Sequence, residues 1–360
     1  MKKTFRRIFA AVMVLTMLVS FAVTGFAKSN FDSKAYVSVV TVSDLQDGDE
    51  AFARFGRILT LMKKDGLKTP HSVISGGDYS KMLPDYATPG VVKLKAAYSS
   101  VYPEASTDTV ACIQGNHDFI SSGFTKSGLY DMGAYNLYVI NENDFPWNQF
   151  LRIPAHIKNT ANKLDKALTG LIDSKDYRPV IIVTHVPLHH SQRTFSGDNM
   201  YSAYLFEVVN KAAKKLDIVF LFGHNHSGDH DDYIGGSVNF MAPGEKIRIP
   251  LKNKMGKDCY TEEKLNFTYT NCGYCGYSNN GNENGSTDAL TVGAVQFSKN
   301  NIHFVKYSED GLFKTYDVAR KTNCTEVKDV EITTTLVNDF VYFIMSSIIE
   351  VMEAFFAYVK

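Results

Sequence analysis

The chain carries no excess charge of either sign: 38 lysines and arginines balance 38 aspartates and glutamates, for a formal net charge of +0. Without a basic surplus, and with no basic cluster beyond the first seven residues, it offers no electrostatic footprint for a nucleic acid. Cysteine is sparse and odd in number, five in all, so complete disulfide pairing is excluded. Cys272-Gly273-Tyr274-Cys275 has no second pair at zinc-site spacing, which leaves a structural zinc without half its ligands. The plainer expectation joins Cys272 or Cys275 to Cys259 and leaves Cys324 unassigned. Cys112, inside an apolar run, is expected as a small buried hydrophobe. No internal repeat or low-complexity linker divides the chain, so one large α/β domain over residues 28–330 is expected, with a polar exposed loop at Ser278–Ser286.

The two ends differ in kind from that domain. Lys2, Lys3, Arg6 and Arg7 precede an apolar stretch from Ile8 to about Val23, and Gly25-Phe26-Ala27 offers the small residues a signal peptidase reads. Residues 1–27 are therefore expected to be a bacterial Sec-type signal peptide, and the mature chain to be secreted, extracellular or in the cell envelope. An uncleaved anchor is the alternative, because the stretch is slightly long for a signal core and short for a membrane span. Within residues 331–360, Val337, Phe340, Val341, Ile344, Ile348, Met352, Phe355 and Val359 recur at helical spacing, with Asp339, Ser346, Glu350 and Glu353 opposite. Those acids argue against a transmembrane span, and a polar face without Lys or Arg argues against lying on an anionic surface. The expectation is an amphipathic helix that packs on the domain, a partner chain or the cell envelope.

The informative pattern lies between. Five β-like runs end in residues that can hold a metal. Tyr36–Val42 runs into Asp44-Leu45-Gln46, and Val73-Ile74-Ser75 into Gly76-Gly77-Asp78. Thr109–Ile113 leads to Gly115-Asn116-His117-Asp118, Pro179–Thr184 to His185, and Asp217–Phe222 to Gly223-His224-Asn225-His226. In an α/β sheet such ends share one edge, where ligands bind, so residues distant in sequence can meet. Helical patterns near 50–64, 89–101, 158–172 and 200–215 alternate with these runs. After His226, β-like runs near 236–241, 266–270, 290–297 and 301–307 suit a second sheet packed on the first.

In this order the blocks resemble the calcineurin-like metallophosphoesterase family, whose pattern is Asp-x-His, Gly-Asp, Gly-Asn-His-Asp/Glu, a lone His, then Gly-His-x-His. The resemblance spans Asp44 to His226. It implies a four-layer α/β/β/α sandwich with two mixed β-sheets and a centre of two divalent metal ions. Carried over residue by residue, Asp78 would bridge the ions, Asp44 and His226 would bind the first, and Asn116, His185 and His224 the second. His117 would face the substrate. Gln46 stands where the family usually has histidine. A glutamine carbonyl is a harder and weaker donor than imidazole, so this site is expected to lean toward Mn²⁺, Mg²⁺ or Ca²⁺. Across the pair Mn²⁺ leads, with Fe, Zn²⁺ and Mg²⁺ as alternatives. Family branches similar in carrying Asp-x-Gln include phosphatases and manganese-dependent pyrophosphatases acting on nucleotide-linked substrates.

The chemistry accounts for the residue types. A phosphate ester is anionic and needs a strong in-line nucleophile; two metal ions about 4 Å apart neutralise its oxygens and bring the pKa of a bound water near neutrality. A protonated His117 would stabilise the transition state or protonate the leaving group, with Asp118 orienting its ring or supporting its charge. His189, His190 and Arg193, in the loop after His185, are candidates for touching the substrate. Asp229-His230-Asp231-Asp232 reads as an exposed turn. The function expected is hydrolysis of a phosphate ester of a small-molecule or nucleotide-like substrate by metal-activated water. The rivals are a nucleotide-type pyrophosphatase or phosphodiesterase and, resting on Gln46 alone, a non-catalytic metal-binding surface protein.

Overall fold

Strand β1 (Val37–Val42) is buried along its whole length, and its side chains divide between two cores. Val37 and Val39 face one, Val40 and Val42 the other, because successive strand residues point to opposite faces. The same division recurs in β6 (Val180–Thr184) and β7 (Ile218–Phe222), where Ile181, Val183, Val219 and Leu221 join Val37 and Val39. A strand buried on both faces reads as an unbroken apolar run, which is why these segments stand out in the sequence. The computed structural model describes residues 29–46, 48–79, 87–118, 123–141, 154–190, 202–224, 240–252, 259–276 and 290–325. The expected signal peptide, Arg193, His226 and the expected C-terminal helix lie outside them.

Two six-stranded sheets result. The first joins β1 to β2 (Ser72–Ser75) and β3 (Val110–Cys112) in parallel and, on its other side, to β12 (Val292–Phe297), from which β13 (Asn301–Ser308) and β14 (Gly311–Ala319) continue as successive antiparallel pairs, β1 and β12 being antiparallel too. The second runs in the order β4 (Gly128–Asp131), β5 (Asn136–Ile140), β6, β7, β11 (Thr268–Asn271), β8 (Phe240–Met241), parallel from β5 to β11 with an antiparallel strand at each edge. Both are mixed sheets, as expected. The five motif-bearing ends do not share one sheet edge, however. Three belong to the first sheet and two to the second, so the cluster forms where two sheets face each other.

Helices α1 (Asp49–Lys64) and α2 (Ala87–Val101) cover the outer face of the first sheet. On α1, Phe52, Phe55, Ile58, Leu59 and Met62 recur at helical spacing on the buried side, with Asp49 and Glu50 in the first turn and Lys63 and Lys64 in the last. Helices α3 (Pro154–Asp173) and α4 (Ser202–Ala212) cover the second sheet, together with a hairpin of β9 (Lys246–Pro250) and β10 (Tyr260–Lys264). The layers are thus α/β/β/α. Beyond β14, Arg320 donates from Nε to Asp217 Oδ2 at 2.9 Å, a pair 1% and 2% exposed that ties the chain's return to the start of β7.

All five cysteines are free thiols, which overturns the expected link to Cys259. Cys259 sits in the β9–β10 hairpin, its carbonyl accepting from Leu251 N–H, whereas Cys272 and Cys275 lie beyond β11 in two different cores. Cys112 is fully buried in β3, as expected.

Candidate metal centre

Backbone geometry brings the motif residues together before any side chain is considered. Among the described residues four non-glycine residues have positive φ, and three are here: Asp44 (54°), Asp78 (59°) and His224 (72°). The left-handed region is disfavoured for residues with a Cβ, and such departures concentrate at functional sites. The turns are stitched to one another: Asp44 N–H donates to Gly77 O at 2.9 Å, Leu45 N–H to Asp78 O at 2.8 Å, and Gly223 N–H to His185 O at 2.9 Å. Gly115 is required by closeness, since a Cβ there would overlap the Asp78 carboxylate.

On this frame the side chains converge. Asp78 is fully buried; its Oδ1 accepts from His117 N–H at 2.9 Å and its Oδ2 from Gln46 Nε2 at 2.7 Å. His185, also fully buried, places Nε2 3.2 Å from Asp78 Oδ2 and 2.9 Å from Asn116 Oδ1. His224 Nδ1 lies 2.7 Å from the same Asn116 oxygen and 3.3 Å from His185 Nε2. One ligand atom from each of Asp78, His185 and His224 lies within 4.8 Å of the others. Asp44 stands behind, its carboxylate accepting from His224 N–H at 3.0 and 3.2 Å.

The donor set fits a cation. His185 Nδ1 is 2.7 Å from Gly76 O, a carbonyl that can only accept, so Nδ1 carries a proton. In the neutral ring Nε2 is then a lone pair, aimed at a carboxylate oxygen and an amide oxygen. Lone pairs at 2.9 and 3.2 Å repel unless a positive charge sits among them, either a proton on the ring or a metal ion. A backbone carbonyl orienting a histidine through its other nitrogen is the usual support of a metal ligand.

The calcineurin-like phosphoesterase profile matches residues 37–228, more than half of the chain. The chain belongs to that family. It is a metallophosphoesterase: a hydrolase whose buried Asp78, His185 and His224 form the candidate divalent-metal site. Among solved structures this phosphoesterase is similar to a conserved uncharacterized protein of Streptococcus pneumoniae described as a predicted phosphoesterase, at 10% identity over 79% of this chain and 98% of that one, with a TM-score of 0.34. It is also similar to GAP50, the anchor in the inner membrane complex of Plasmodium, at 13% identity over 80% and 90%, TM-score 0.49. A dimetal phosphatase from Danio rerio matches at 9% identity over 80% and 100%, TM-score 0.46. No curated protein sequence matches it.

The other residues singled out in the phosphoesterase fall in different places. His117 is half-buried beside the cluster. Asp118, expected to orient the His117 ring, turns both carboxylate oxygens to backbone instead, accepting from Asp78, Tyr79 and Gly115 N–H groups at 2.7 to 2.8 Å. Burial and the Asp78 carboxylate push the Asp118 carboxyl up to about 7, against the pull of those donors, and a cation on Asp78 would relieve that pressure. His189 is 2% exposed, with Nδ1 2.9 Å from the Tyr269 hydroxyl and its ring against Phe222. That makes it a packed core histidine. His190 lies on the β9–β10 hairpin, its N–H on Arg248 O and its ring 5.3 Å from Tyr260. Tyr269, 80 residues beyond His189 in the chain, carried no signal that could have paired them. No helix among the described residues is long and apolar enough to cross a membrane.

Proposed function

We propose that the metal centre is dinuclear and hydrolyses a phosphate ester of a small, phosphorylated molecule. Asp78 would bridge the two ions, Asp44, Gln46 and His226 would hold the first, and Asn116, His185 and His224 the second. The observation that carries the metal is the convergence of lone pairs from Asp78, Asn116 and His185 at 2.9 to 3.2 Å, with the His185 tautomer fixed by Gly76 O. The second ion rests on the family pattern of Asp44, Gln46 and His226. Bound there, divalent ions supply charge neutralisation at the phosphoryl oxygens and acidify the attacking water. The chain's own residues do the rest. Asp118 holds the Asp78 and Gly115 turns together through three backbone N–H groups and acts as a positioning residue. His117 reaches the substrate and stabilises charge or delivers the leaving-group proton. Mn²⁺ is the ion proposed. Export is proposed from the basic and apolar residues 2–27 alone.

The test is metal removal. Mature chain from residue 28, stripped by chelation, should lose turnover of chromogenic monoester and diester substrates and recover it on adding Mn²⁺, with Mg²⁺, Fe and Zn²⁺ less effective. Turnover that survives complete metal removal would sink the proposal. The Gln46 site gives a second, signed test. Here the Gln46 amide nitrogen donates to Asp78 Oδ2 at 2.7 Å, so its carbonyl oxygen, a weaker donor than imidazole, is the atom it could offer an ion. Gln46→His should raise affinity for Zn²⁺ and Fe relative to Mn²⁺. An unchanged affinity order in a metal titration would remove Gln46 from the ligand set.

A further inference from the structure

The inter-sheet face of β13 runs Ile302, Phe304, Lys306. The first two are core side chains between the sheets, and the third is a lysine only 4% exposed. Its cross-strand neighbour is Gly293 of β12, where a Cβ would collide with the Thr41 side chain. Lys306 Nζ crosses to the second sheet and donates to Asn271 Oδ1 at 2.7 Å, at the end of β11. The same oxygen accepts from Gly273 N–H at 3.1 Å.

Asn271 begins a turn wedged between the two backbone stretches that carry metal-site residues. On one side Cys272 N–H donates to Phe222 O at 2.8 Å, two residues before His224. On the other, Cys275 N–H donates to Ser43 O at 3.3 Å, one residue before Asp44, and Arg54 Nη1 caps the Cys275 carbonyl at 2.5 Å. Gly276 lies so close to Asp44 O that a Cβ would overlap it, and one would press tightly on Gln46 N. Burying an ammonium costs several kcal/mol that a methionine of similar length would not. Burial pushes Lys306 down to about 7, a measure of how dry its surroundings are.

We propose that Lys306 is a positioning residue of the metal centre: by holding Asn271 it fixes the Asn271–Gly276 turn, and through that turn the placement of Asp44 and Gln46 around the first ion. This rests on the two-ion reading above.

The experiment compares the mature wild-type chain with Lys306→Met, measuring Mn²⁺ binding by titration calorimetry, folding by circular dichroism, and kcat and KM on a chromogenic phosphate ester. The folded variant should bind one of two Mn²⁺ ions roughly 10- to 100-fold more weakly, the range for partners that support a metal ligand. Turnover at limiting Mn²⁺ should fall with it, because the weakened ion neutralises the phosphoryl oxygens and acidifies the attacking water. Unchanged affinity for both ions would overturn the proposal. So would equal weakening of both, which is what a general loosening of the core produces. If Lys306→Met does not fold, Asn271→Ser removes the acceptor end of the same bond and is judged by the same outcomes. Wild-type chain that binds fewer than two ions would instead overturn the two-ion reading, whatever Lys306 does.

Discussion

Asp78→Asn should lose most of its bound metal and about a thousandfold or more in turnover while remaining folded. The backbone favours the test, because Asn tolerates the left-handed conformation that Asp78 adopts at φ 59°. What changes is charge and donor pattern. Both carboxylate oxygens accept from donors, Oδ1 from His117 N–H and Oδ2 from Gln46 Nε2. An asparagine that keeps the His117 N–H bond turns its NH₂ toward Gln46, which must then turn its own amide to accept, and the negative charge shared by the site is gone. A metal contribution of several kcal/mol to the transition state, at 1.36 kcal/mol per tenfold, sets the scale of the loss. Elemental analysis beside a chromogenic assay decides it; near-wild-type metal content and turnover would show that Asp78 bridges nothing.

The ligand turns were legible in sequence because their strands are buried on both faces. Val180–Thr184 and Ile218–Phe222 cannot alternate polar residues without exposing them to a core, so each ends abruptly at the site. The strands with no such signal are β5, interior and buried along its whole length, and the largely exposed β4, β10 and β14. β4 and β10 have no buried residue and β14 has one, Val318 at 9% exposure, so nothing in their sequences marks a core face. Which sheet each motif strand joins was also hidden. β1 pairs with β12, some 250 residues away, and local pattern says strand without naming its partner.

Side-chain fate was the least legible level. His189 and His185 are both buried histidines after the same strand, yet one meets Tyr269 and the other a carboxylate, an amide and a second imidazole. Their difference lies in β11 and in the turns after β2 and β3. Lys306 left a readable trace, the single charge continuing the inward alternation Ile302, Phe304 on β13, but only the folded chain shows it reaching Asn271.

His117→Ala should separate chemistry from metal binding: both ions retained, turnover lower by roughly a hundredfold or more, as when a general acid or charge stabiliser is removed. The geometry makes this a clean cut. His117 is tied to Asp78 through its backbone N–H at 2.9 Å, and alanine keeps that N–H, so the carboxylate loses no donor. Only the half-buried ring is removed, together with whatever it offers to a phosphoryl group. Gly115 and Asp118 go on holding the turn, through bonds that do not involve the ring. Substrates with good leaving groups need no proton from the enzyme, so a general-acid role predicts a smaller loss on a nitrophenyl ester than on an alkyl ester. An equal loss on both would assign His117 to charge stabilisation. Loss of metal in step with activity would place His117 among the ligands.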